Sequence, residues 1–106
     1  MSTKANISKI LLGLKKFGYE VKSFGSNKAL RKGQTGFVDN LIFNNYYLIF
    51  VETKCDDTKD KFSDAQKKTA QMLSSISTLN RTVHYRIIRN IKEAQKLFDL
   101  IIERKL

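Results

Sequence analysis

A chain of 106 residues, 42% of them hydrophobic, with a net charge of +10, has the size of one domain with its own core and the apolar content of a folded protein rather than a disordered one. No apolar run is long enough to cross a bilayer, no cleavage site follows Ile7 to Leu14, and a lone cysteine, Cys55, excludes an internal disulfide and suits a reducing, intracellular setting. The positive charge is uneven: residues 1–35 carry eight Lys or Arg against Glu20 alone, while the remainder carries twelve against nine, a distribution that suits a polyanionic partner such as DNA or RNA.

Ser2 or Thr3 is placed to cap a first helix, whose apolar positions Ile7, Ile10, Leu11, Leu14 and Phe17 follow the helical period. Gly18 is placed to end it, because glycine takes the left-handed conformation cheaply. Tyr19 to Phe24 alternates and reads as a strand. A loop from Gly25 to Gly36 follows, carrying Ser26, Lys28, Arg31 and Lys32. Two strands are expected next, about Phe37–Phe43 and Tyr46–Cys55, joined by Asn44-Asn45 as a two-residue turn. Both are apolar on both faces, the pattern of strands in a sheet covered by helices on each side.

After a charged loop, Ser63 opens a second helix with Gln66 as its capping-box partner, and Ala70, Leu73, Ile76 and Met72 are expected to face inward. Thr82 to Ile88 reads as a strand. Asn90 with Glu93 opens a last helix bearing Ile91, Ala94, Leu97, Phe98 and Ile101. The predicted order is αβββαβα in a single domain, residues 1–106. That makes an α/β fold with a central mixed sheet of about four strands flanked by helices, the last two strands joined by a parallel crossover.

The hairpin decides where the acids go. With Asn44 and Asn45 as the turn, Phe43 faces Tyr46, Leu41 faces Leu48 and Asp39 faces Phe50. Alternation then sends Asp39, Phe50, Glu52 and Lys54 to one face, with Asp39 and Glu52 as diagonal neighbours whose β-carbons stand about 7–8 Å apart. Two carboxylates and an ammonium beside Leu41, Phe43 and Leu48 are costly unless something balances them. A structural ion pair is the simpler account. A hard divalent cation, Mg²⁺ or Mn²⁺, fits the oxygen donors better, with the Thr53 carbonyl as a third ligand and Lys54 beside it to stabilise charge on a phosphodiester under attack.

The run Gly36-Phe-Val-Asp39, followed after twelve residues by Glu52-Thr-Lys54, resembles the signature of the PD-(D/E)XK nucleases. The order of elements is similar to the VRR-NUC branch and to the archaeal-type Holliday junction resolvases. The resemblance covers nearly the whole chain and implies a restriction-endonuclease-like fold. It also implies Asp39 and Glu52 as ligands of catalytic Mg²⁺, Lys54 as the catalytic lysine, and Gln66 as the glutamine often found one turn into the following helix. Two departures stand out: Val38 replaces the proline, and Ala5-Asn-Ile-Ser-Lys9 holds none of the acids that relatives often carry in the first helix. Asn6, Ser8 or Glu20 would have to serve instead.

The remaining candidates have plain explanations beside functional ones. Gln66 is accounted for by capping alone, and the two roles are compatible. His84 reads as a half-buried strand histidine and Cys55 as a small packing residue. Ser26, Lys28, Arg31 and Lys32 are expected to contact nucleic-acid phosphates, set against an ordinary solvated loop. The expectation is therefore a Mg²⁺-dependent endonuclease, also supported by Mn²⁺, selective for DNA structure rather than sequence. A homodimeric Holliday junction resolvase is the first choice. A nicking, flap, repair or host-defence nuclease, or an inactive DNA-binding module, is the alternative.

Overall fold

A computed structural model describes residues 3–24, 37–55 and 62–106. Helix α1 (Thr3–Leu12) tightens into a 3₁₀ turn (Gly13–Phe17) and stops at Gly18, whose φ of 86° is the left-handed conformation expected of it. Strands β1 (Glu20–Ser23), β2 (Asn40–Phe43) and β3 (Leu48–Thr53) follow, then α2 (Asp64–Leu79), β4 (Val83–Ile88) and α3 (Ile91–Ile102). The four strands form one mixed sheet in the order β1-β2-β3-β4: β1, β2 and β3 are antiparallel in turn, and β3 runs parallel to β4 with α2 between them in sequence. The chain is thus an α/β protein with a four-stranded mixed sheet and flanking helices, as its pattern predicts. Among the described residues no helix is long and apolar enough to cross a membrane.

The two faces of the sheet differ. Val21, Ile42, Ile49, Val51 and Ile88 meet Ile7, Leu11 and Leu14 from the α1 side and Ala94, Leu97 and Ile101 from α3, all buried in one apolar cluster. The opposite face carries Leu41, Phe43, Leu48 and Phe50, which are only half-buried, and α2 packs over its β4 side. The caps of α2 and α3 form as expected. The Ser63 hydroxyl accepts from the Gln66 N–H, and Asn90 accepts from the Glu93 N–H.

Three expectations need correction. Phe17 is largely exposed and meets Phe98 edge to face, because the chain has left the α-helical period by that point. On α2 only Leu73 is buried; Met72 and Ile76 are 60% and 42% exposed, since α2 touches the sheet along one narrow seam. The β2–β3 turn is also displaced by one residue. The Asn44 side chain accepts from the N–H groups of Tyr46 (2.8 Å) and Tyr47 (3.1 Å), and the Asn44 N–H donates to the Tyr47 carbonyl (3.0 Å). This asparagine turn puts Asn45 and Tyr46 at the tip. Phe43 therefore faces Leu48, and Leu41 faces Phe50. Each partner moves by two positions, an even number, so every side chain keeps its predicted face.

Candidate active site

At the end of the sheet away from the β2–β3 turn, the paired register ends at Asn40 opposite Val51, and the preceding residue, Asp39, lies within side-chain hydrogen-bond reach of Glu52. The Asp39 N–H donates to the Val51 carbonyl (3.1 Å), and an Asp39 carboxylate oxygen accepts from the Thr53 N–H (2.7 Å). Asp39 thereby holds both residues that flank Glu52. Val51 is also the partner of Asn40, so two successive residues address one, the arrangement of a bulge that re-aims a side chain at a strand end. The N–H and carbonyl of a strand residue share an edge, so the Thr53 carbonyl lies on the edge that meets Asp39.

Glu52 is 1% exposed and Lys54 5%. Burial is the main reason that the Glu52 carboxyl is raised from an ordinary 4.5 to about 8; the hydrogen bond and the charge of Asp39 push the same way. The charges of Lys54 and Lys4 oppose this without overcoming it. Lys54 donates to the Gln66 side-chain oxygen at 3.0 Å and lies 5.2 Å from the centre of the Phe62 ring. That same Gln66 oxygen accepts from the Ser63 N–H at 3.0 Å, and the Gln66 amide nitrogen stands 3.5 Å from a Glu52 oxygen. One glutamine thus caps α2 and ties its first turn to both Glu52 and Lys54.

The four residues expected to form a centre come together: Asp39, Glu52, Lys54 and Gln66 converge on one face at one end of the sheet, with the Thr53 backbone between them. Ser26, Lys28, Arg31 and Lys32 lie outside the described residues. Glu20 is paired with Phe43 at the far end of the sheet, so it cannot replace a helix-one acid. From α1 it is a cation, Lys4, whose charge reaches Glu52. Among the described residues no third Asp, Glu, His or Cys joins the pair. His84 projects from the opposite face, opposite Ile49, where it packs against the Tyr47 ring and burial lowers its pKa. Cys55 is buried in the core cluster, as a packing residue should be.

Tyr85 was not singled out by sequence and belongs to the site's surroundings. It lies opposite Phe50, and its pKa is raised to about 12, first by burial and then by the charges of Glu52 and Asp39. Its hydroxyl oxygen is buried without a hydrogen-bond partner among the described residues, as are the Asn40 amide nitrogen, the Thr53 hydroxyl and His84 Nε2, whose side chains alternate to the other face of the sheet. Unsatisfied buried groups are rare, and of these only the Tyr85 hydroxyl, among the described residues, belongs to a side chain on the face of the acids. A cavity of about 640 Å³ opens at the other end, beside Phe17, Tyr19, Asn44, Tyr46 and Arg104, well away from the acids.

Such a site can bind a hard cation through carboxylate oxygens and keep an ammonium beside it. Comparison of the chain with family models, with curated proteins and with solved structures gives no match, so the reading rests on the geometry and on the motif.

Proposed function

We propose that this protein is a Mg²⁺-dependent endonuclease that hydrolyses phosphodiester bonds in DNA. The observation that carries this reading is the bracketing of Glu52 by Asp39: two adjacent carboxylates, one of them fully buried, with Lys54 two residues on, just past the end of β3. Two acids held side by side in an apolar setting repel each other and gain most from a shared cation, and an all-oxygen donor set suits Mg²⁺ or Mn²⁺. Asp39, Glu52 and the Thr53 carbonyl would hold the ion. Bound there, it supplies Lewis acidity toward a phosphodiester oxygen and lowers the pKa of a bound water.

The protein's own groups do the rest. Lys54, anchored by Gln66, keeps a positive charge next to the acids, where negative charge builds up on a phosphate under attack. Gln66 restrains Glu52 and Lys54 together. The excess of cations favours a nucleic acid over a small phosphate ester. Selectivity for DNA structure is the natural expectation of a chain with no zinc module or recognition helix among its predicted elements. A four-way junction cut by a homodimer, in an intracellular setting, is the first choice within that class. A nicking, flap, repair or defence nuclease shares the same chemistry.

A second reading, a DNA-binding module without catalysis, is favoured by Lys4, a cation where a third ligand would help the metal. Incubation with Mg²⁺ and a panel of four-way junction, flap, nicked and linear DNA separates these readings. The resolvase reading expects paired nicks in the junction and little cutting of linear duplex. Equal cutting of all four contradicts junction selectivity, and binding without cutting in Mg²⁺ or Mn²⁺ favours the module.

A further inference from the structure

The parallel register sets Tyr85 opposite Phe50 and Ile87 opposite Glu52, so the Tyr85 side chain leaves the sheet on the face of the two acids, one diagonal step from Glu52. Helix α2 packs on the same strand, and its first turn holds Gln66 against Lys54. The Tyr85 hydroxyl is buried there and donates to none of the described residues. An unpaired phenolic hydroxyl destabilises a folded chain, and phenylalanine would fill the same space without that cost. Phe50 and Ile87 offer it no acceptor; the carboxylates of Glu52 and Asp39, which share its face, do.

We propose that Tyr85 is a positioning residue: its hydroxyl donates to the Glu52 carboxylate in the cation-bound state, fixing one oxygen and directing the other toward the ion. The inference rests on the reading of Asp39 and Glu52 as cation ligands. Outer hydrogen bonds of this kind orient ligating carboxylates and raise cation affinity. The role also explains an arrangement that is unfavourable for the free protein, because the hydroxyl gains its acceptor only when Glu52 is ligated.

Mn²⁺ alone, titrated calorimetrically into the wild type, Tyr85→Phe and Asp39→Asn, tests the inference alongside thermal unfolding of each in chelator. The Tyr85→Phe variant is expected to bind Mn²⁺ about tenfold more weakly, yet to unfold in chelator no earlier than the wild type, since only an unpaired hydroxyl is lost. Equal Mn²⁺ affinity in Tyr85→Phe and wild type overturns the positioning role and leaves the cation site standing. Weaker binding with earlier unfolding in chelator also overturns it, because the hydroxyl would then be serving the fold. Wild type binding no better than Asp39→Asn overturns the cation site itself, and the role of Tyr85 with it.

Discussion

A carboxyl group buried beside a second carboxyl holds its proton tightly, and Glu52 does so to about pH 8. The consequence for stability has a definite sign. Below pH 4.5 the group is protonated whether the chain is folded or not. Between 4.5 and about 8 the unfolded chain ionises Glu52 while the folded chain keeps the proton, so stability falls as pH rises through that window and levels off above it. Glu52→Gln retains the shape and removes the titration. In chelator, the variant is expected to show a flatter dependence of unfolding free energy on pH and to be the more stable protein at pH 8, by a few kcal/mol at most. Urea unfolding at intervals from pH 5 to pH 9 measures this. Parallel curves for the two proteins would mean that Glu52 is ionised in the fold and that the acid pair is already balanced by cationic side chains.

At the scale of elements, the first turn of α2 joins two functions that are separable by mutation. Ser63 and Gln66 form a reciprocal cap, and only Gln66 also reaches Lys54 and Glu52. Ser63→Ala and Gln66→Ala should each cost about 1 kcal/mol of stability through the cap. Only Gln66→Ala is expected to slow cleavage more than the loss of stability explains. Equal cleavage by the two variants would reduce Gln66 to a cap.

The same elements show what the sequence made legible. The face shared by Asp39, Glu52 and Lys54 followed from strand alternation, and it survived a misplaced turn because the Asn44 side chain moved each partner by an even number of residues. The way Asp39 brackets Glu52 through Val51 and Thr53 did not follow, since the register depends on that side chain choosing the N–H groups of Tyr46 and Tyr47. Tyr85 was illegible for a different reason. A long crossover through α2 sets the β3–β4 register, so no turn length fixes which β4 residues stand beside Glu52. Lys4 is one of two lysines in α1, and nothing in its sequence setting distinguishes it from Lys9. Met72 and Ile76 had the right spacing for a core but lie on the solvent side of a helix that touches the sheet narrowly.

For the whole molecule, fold and charge point the same way: a small mixed sheet with its acid pair at one end, on a chain whose excess positive charge gathers in its first third. The described part of the site supplies the acids, the lysine and the glutamine that ties them. The cationic stretch that precedes Asp39 in sequence, with Lys28, Arg31 and Lys32, is proposed to make the phosphate contacts, so the proposed chemistry and the proposed affinity come from different segments of the chain. Substitutions at Lys54 should therefore abolish cutting while leaving binding largely intact. The most direct measurement is cleavage of a synthetic four-way junction in Mg²⁺ by wild type and Lys54→Ala, with binding of the same junction measured in chelator. The account predicts cutting by the wild type, a loss of at least about a hundredfold in the variant, and similar binding by both. Undiminished cutting by Lys54→Ala would contradict it.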